Sequence, residues 1–164
     1  MALPVLFEEV QQFRQKWLEG LMLAVNTLLI SAYFATTFFS LTTAQDSNTG
    51  LLLAIVLCGL VTFLLKRLKL ITQVTTAGIQ IRFSPLQTRF YLYRWQDIEQ
   101  LAIRTYNPLL EYGGWGIRFG PSGNAYNVSG NVGLQLVLRG NHKLLIGTSK
   151  AGELIELLQS MGRM

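Results

Sequence analysis

Two long stretches without charge dominate the first half of the chain. From Leu21 to Leu41 it reads LMLAVNTLLISAYFATTFFSL. As a helix this run is about 31 Å long at roughly 1.5 Å per residue, which matches the hydrocarbon core of a bilayer. Its Ser and Thr hydroxyls can bond back to the helix, and Asn26 lies near one end. The second run, Leu51 to Leu65 (LLLAIVLCGLVTFLL), is only fifteen residues. It spans if Leu68 and Leu70 extend its apolar surface while Lys66, Arg67 and Lys69 snorkel, giving a helix over 50–70. The intervening TTAQDSNTG is polar and turn-rich. The pattern predicts a transmembrane hairpin over 21–70, with spans at 21–41 and 50–70. A helical hairpin buried in a soluble core is the alternative.

Ahead of the first span, Leu6, Val10, Phe13 and Trp17 recur at spacings of three and four with Glu9, Gln12 and Lys16 between them. This reads as an amphipathic interfacial helix over 1–20. After Leu70 the period changes to two. Ile79, Ile81 and Phe83 alternate with polar residues after the turn signal Ala77-Gly78, and Phe90 and Leu92 do so next. Further short strands are expected at Leu101–Thr105, Trp115–Phe119, Ala125–Val128, Leu134–Leu138 and Lys143–Ile146; with Val74 at the head of the first, about eight strands in all. A closing helix over about 150–161 carries the apolar stripe Leu154, Leu157, Leu158 and Met161, with Thr148 or Ser149 to cap it and Glu153 in its first turn. A β domain over 71–164, a barrel or bent sandwich plugged by that helix, follows.

Composition supports the membrane reading: 50% of residues are hydrophobic and 14% charged, against about a quarter charged in soluble domains. The formal charge of +5 is uneven, because from Lys66 onward twelve Lys or Arg face five Asp or Glu. Lys66, Arg67 and Lys69 beside one span, and Arg14 and Lys16 beside the other, are expected to place both termini on the cytoplasmic side of the membrane. Trp17, Lys66, Arg67 and Lys69 are the expected lipid contacts. Three glutamates in the first twenty residues, and no A-x-A site, argue against a cleaved leader. Cys58 is the sole cysteine and His142 the sole histidine, so no metal, cofactor or catalytic triad is expected and the chain is not read as an enzyme. Arginines scattered one per strand do not make a nucleic-acid surface.

The order ITQVTTAGIQIRF, RFYLYRWQDIEQLAI, GGWGIRFG, AYNVSG and GLQLVLRGNHKLLIGTSKAGEL resembles the bacterial pleckstrin-homology-like domains that follow a pair of transmembrane helices in small membrane proteins. The resemblance covers about residues 70 to 161. It implies a seven-stranded bent barrel with a C-terminal helix and a role in binding or assembly, without implying a reaction. Members that hold phosphoinositides carry basic residues on the first hairpin, where this chain has Thr75, Thr76, Ala77 and Gly78.

The segment EYGGWGIRFG, Glu111 to Gly120, holds four glycines and invites comparison with a phosphate-binding loop. Such a loop needs a helix after it, whereas Trp115, Ile117 and Phe119 alternate as a strand. Gly113, Gly114 and Gly116 therefore read as turn or bulge residues. Tyr112, Trp115, Arg118, Tyr126 and Asn127 form a candidate protein interface on one rim, being residue types that anchor partners. Asp97 and Glu99 read as a solvated turn, and Asn127-Val128-Ser129 as strand and turn. The sequence thus points to a membrane-anchored interaction module, an accessory or scaffolding subunit docking a protein partner or a second copy. Anionic lipid-headgroup binding is the alternative.

Overall fold

The computed structural model describes residues 4–13, 16–39, 45–120 and 122–164. It is α+β and divides into two compact units: Met1–Phe13 together with Leu68–Met164, and Arg14–Arg67. The helical unit is thus an insertion within the β unit.

Helices α1 (Lys16–Phe39) and α2 (Gln45–Arg67) form the insertion. Lys16–Phe38 and Thr49–Arg67 are long and apolar enough to cross a membrane, and none of their apolar windows is buried within the protein. Between the helices, the Asn26 amide donates to the Thr62 hydroxyl at 3.2 Å. Ser31, Thr36 and Thr37 bond back to their own helix as expected, donating to carbonyls three or four residues back. Ser40 and Arg14, and residues 42–44 at the start of the expected polar loop, lie outside the described residues. The expected spans need correction at both ends. The first helix starts at Lys16 rather than Leu21, and the second already begins at Gln45 and stops at Arg67.

Residues 68–70 belong to the β unit because the chain there changes to period two. Lys69 opens strand β2, and Leu70 is fully buried in the core instead of facing lipid. The first sheet holds β1 (Val5–Gln12), β2 (Lys69–Thr75), β3 (Gly78–Ser84) and β4 (Tyr91–Arg94) in that order, all antiparallel. Strand β1 overturns the interfacial helix expected over 1–20. Its inward side carries Phe7, Glu9 and Gln11, and the supposed apolar stripe residues Leu6 and Val10 are 45% and 48% exposed. Period two is masked in the sequence because two of the three inward residues are polar.

The second sheet holds β5 (Ile98–Thr105), β6 (Gly116–Gly120), β7 (Gly123–Asn127), β8 (Val132–Leu138) and β9 (His142–Gly147). Its order is β5-β8-β9-β7-β6, with β7 and β9 parallel and the other neighbours antiparallel. A five-residue helix α3 (Pro108–Tyr112), absent from the sequence reading, follows β5, and α4 (Ala151–Ser160) ends the fold. Of the expected barrel or bent sandwich, the described residues form two sheets and no closed barrel. One core joins them: Phe7, Leu70, Val74, Ile79, Ile81 and Phe83 from the first meet Tyr126, Leu134, Leu136, Leu144 and Ile146 from the second, with Leu154 and Leu158 of α4. Tyr93 of β4 packs on this core, and burial, then Tyr126, push its hydroxyl up to about 12.

The polar residues of β1 find their partners at the far end of the chain. The Glu9 carboxylate, 3% exposed, accepts hydrogen bonds from the Thr148 hydroxyl at 2.6 Å, the Ser149 N–H at 2.7 Å and the Ser149 hydroxyl at 2.5 Å. The Gln11 amide donates to the Gly147 carbonyl at 2.6 Å. Neither Thr148 nor Ser149 is the N-cap of α4. That position is Lys150, whose N–H is taken by the Thr148 hydroxyl at 3.1 Å. A buried carboxylate next to the helix start also suits the positive end of the helix dipole.

Candidate functional site: the glycine turn and the helix beside it

Sequence and local chemistry explain α3 directly. Asn107 is its N-cap, accepting from the N–H groups of Leu109 and Leu110, and Pro108 stands at the first helical position. Glu111 reaches back to accept the Asn107 N–H at 2.7 Å. Gly113, at φ 69°, ends the helix in the left-handed conformation that glycine tolerates. The string NPLLEYGG was therefore readable as cap, helix and stop.

The helix is held to the outer face of the second sheet. Across that face Ala102, Gln135, Leu145, Ala125 and Arg118 stand in one register row through all five strands. Tyr106 and Tyr112 cover its middle, with rings edge to face at 5.9 Å, and make a second small core with Ala125 and Leu145. Arg104 secures the rim. Its guanidinium bonds Glu111 at 2.8 Å, the Tyr112 hydroxyl at 3.2 Å and the Gln135 side-chain oxygen at 3.1 Å. The bond to Arg104, then that to the Asn107 N–H, hold the Glu111 carboxyl below its ordinary range, while burial pushes the Tyr112 hydroxyl up. Burial also raises Tyr106, and the neighbouring Asn127 amide opposes it without being placed to bond it; neither the Tyr106 hydroxyl nor Asn127 Nδ2 has a partner of good geometry among the described residues.

Because the folded-state pKa of Glu111 is lowered, its contribution to stability is complete above the unfolded value, near pH 4.3, and is lost as pH falls through the folded value. The pair is about a third exposed, so the contribution is at most about 1 kcal/mol. Protection factors at Leu109 to Gly114, taken relative to the intrinsic rate at each pH, are expected to fall below that pH while those of β9 hold. An equal fall in both places would mean that the clamp is not the acid-sensitive part.

The glycine segment does not offer an anion cradle. The N–H of Gly113 donates to Leu109, that of Gly114 to Pro108, and that of Gly116 to the Asn127 side chain at 2.9 Å. Gly114 and Gly116 adopt φ of 124° and 115°, which supports the turn-and-bulge reading. The five proposed interface residues divide. Tyr112, Tyr126 and Asn127 are buried, Tyr126 in the main core, so they do not share an exposed rim. Trp115 is half-buried, donating from Nε1 to the Gly130 carbonyl at 3.2 Å, and Arg118 is exposed, donating from Nε to the Trp115 carbonyl at 2.9 Å. The large apolar residues exposed in this region are Leu109 at 62%, Leu110 at 86% and Phe119 at 73%. Of the expected lipid contacts, Trp17, Lys66 and Arg67 are exposed on the hairpin, whereas Lys69 is half-buried in β2 opposite Gln12 and Ser84. No protein-family model matches the chain, and no curated protein matches its sequence.

Proposed function

We propose that this chain is a membrane-anchored interaction module, an accessory or scaffolding subunit whose β unit docks a protein partner at the cytoplasmic face of a bacterial plasma membrane. The observation that carries this reading is the pairing of exposure with rigidity on α3. A five-residue helix has no stability of its own. Here a cap, a glycine stop and the Arg104 clamp hold it while Leu109 and Leu110 face outward. Fixed apolar side chains bind with little ordering cost, and Trp115 and Arg118 on the same excursion are residue types that anchor partners.

The membrane part rests on the two apolar helices and on the pairing of β1 with β2. Gln12 lies opposite Lys69, so both ends of the hairpin return to one sheet and a spanning insertion must cross an even number of times. Two crossings agree with the basic flanks that place both termini inside. The kinship to pleckstrin-homology-like domains belongs to the same reading, supported by the order of a four-stranded sheet, a second sheet and a C-terminal helix. A second reading, contact with anionic lipid, is favoured by the exposed Lys66 and Arg67 in the last turn of α2.

The test is copurification in mild detergent with Leu110→Asp. At 86% exposure this change should leave stability within about 0.5 kcal/mol. Recovery of the partner should fall about tenfold or more, as for a hot-spot residue. Trp115→Ala should lower recovery as well while the second sheet stays protected from exchange. Undiminished recovery with both variants would remove α3 as the docking surface, and unfolding by Trp115→Ala would assign that residue to the core.

A further inference from the structure

We propose that the β unit holds a second site, a cleft for a phosphate-bearing anion between the β2–β3 turn, Arg94 and Arg163. The cleft has a volume of about 410 Å³ and is lined by Thr76, Ala77, Arg94, Trp95, Gln96 and Arg163. It is distinct from the glycine segment and from α3.

Two cationic side chains, Arg94 and Arg163, line it. Among the described residues the ion pairs are Arg104–Glu111 and Lys150–Glu153. Arg94 and Arg163 engage no carboxylate, although Glu99 lines the adjoining lobe of the cleft on the other side of Trp95 and Arg163. Both guanidinium groups are thus available as planar forks, the geometry that recognises phosphate in two parallel hydrogen bonds. Two such charges match a phosphate dianion better than a single carboxylate.

The placement of Arg163 is built rather than incidental. Helix α4 ends with Gly162 at φ 63°, the Gly162 N–H on the Gln159 carbonyl and the Arg163 N–H on the Leu158 carbonyl, each at 2.9 Å. This paired arrangement fixes the residue after the glycine. It lays the Arg163 guanidinium 5.0 Å from the centre of the Trp95 ring, a stacking that orients the fork while leaving its N–H edges free. The other wall is equally set. Trp95 Nε1 donates to the Thr75 carbonyl at 3.1 Å and its N–H to the Ala77 carbonyl at 3.2 Å, while Thr75 Oγ1 closes the turn onto Gly78. Strand β4 runs so close behind Gly78 that a Cβ there would stand 2.1 Å from the Tyr93 carbonyl oxygen. Thr76 at the turn adds a hydroxyl.

The experiment uses the full chain, labelled with 5-fluorotryptophan, in nanodiscs of phosphatidylcholine, with the Trp95 signal assigned by Trp95→Phe. Pyrophosphate added at constant ionic strength is expected to move the Trp95 resonance saturably. Arg94→Gln and Arg163→Gln should each weaken binding about tenfold or more, the loss of a charged hydrogen-bonding partner. Gly162→Ala, which opposes the left-handed turn at a position where an added Cβ meets no atom within 4 Å, should weaken it in the same direction. Nanodiscs containing phosphatidic acid separate the sources. A Trp95 shift from the lipid that Arg163→Gln abolishes identifies a headgroup site, and no response to the lipid alongside pyrophosphate binding identifies a soluble anion. The proposal is overturned if neither probe moves Trp95 saturably, or if Arg163→Gln and Arg94→Gln bind as tightly as the parent.

Discussion

Replacing Arg14–Arg67 by a two-residue Asn-Gly turn is expected to yield a β unit that stays folded and dissolves in water without detergent, whereas the intact chain requires detergent or lipid. The geometry for this junction exists. Gln12 and Lys69 are register partners, and beyond them the Phe13 N–H donates to the Leu68 carbonyl at 3.4 Å. Adjacent antiparallel strands about 4.8 Å apart are what a two-residue hairpin turn joins. The replacement removes the exposed apolar surface of both helices, among it Leu23, Leu28, Phe34, Phe38, Leu53, Val56 and Leu57, and leaves every residue of the shared core in place. It also replaces a long insertion by a short one, which lowers the entropy of closing β1 onto β2. Circular dichroism, ultracentrifugation without detergent and hydrogen exchange on β2, β3 and β8 measure the outcome. Aggregation of the shortened chain would show that the β unit needs its hairpin to fold. Water solubility of the intact chain would remove the membrane reading altogether.

That junction also shows where the sequence could be read and where it could not. The two apolar helices were legible because their pattern is a local property, a continuous stretch of side chains without charge. Strand β3 was legible for a similar reason: Ile79, Ile81 and Phe83 alternate against Gln80, Arg82 and Ser84 and are all buried. In β4 the expected alternation is reversed, because Leu92 stands opposite Gln80 on the outer side while Tyr93 packs on the core, and Phe90 lies before the strand. What escaped was set by partners distant in sequence. Glu9 and Gln11 face inward because Thr148, Ser149 and Gly147 satisfy them across more than a hundred residues, and no local pattern announces such a partner. Leu68 and Leu70 looked like the end of a span because hydrophobicity does not distinguish lipid from core. The candidate rim failed on topology: Tyr126 and Asn127 lie on the interior strand β7, next to Arg118 in sequence order of strands yet mostly turned into the fold. The α3 signature, by contrast, is local: Asn107 caps it, Pro108 opens it and Gly113 ends it.

Glu9→Ala is expected to destabilise the β unit by about 3–5 kcal/mol, while the neighbouring Glu8→Ala changes it by less than about 0.5 kcal/mol. The two carboxylates differ only in which side of β1 they occupy. Glu8 is exposed and accepts from the Gln73 amide at 2.6 Å, a bond that water can replace. Glu9 is buried, and its removal strands the Thr148 hydroxyl and the Ser149 N–H, each costing about 1–3 kcal/mol when left unpaired, together with the space its side chain filled. Glu9→Gln should fall between, since one oxygen remains as an acceptor while the new NH₂ opposes a donor. The loss should appear in a specific place, as faster exchange at the start of α4 and along β1 before β5 and β8 respond, because those are the segments that the carboxylate joins. Unchanged protection in Glu9→Ala would mean that the contact contributes nothing. If the loss occurs as expected, the strand that leads into α1 is fastened to the N-terminal end of α4, and the same helix ends by placing Arg163 over Trp95. One side chain on β1 would then secure the element on which the proposed anion cleft depends.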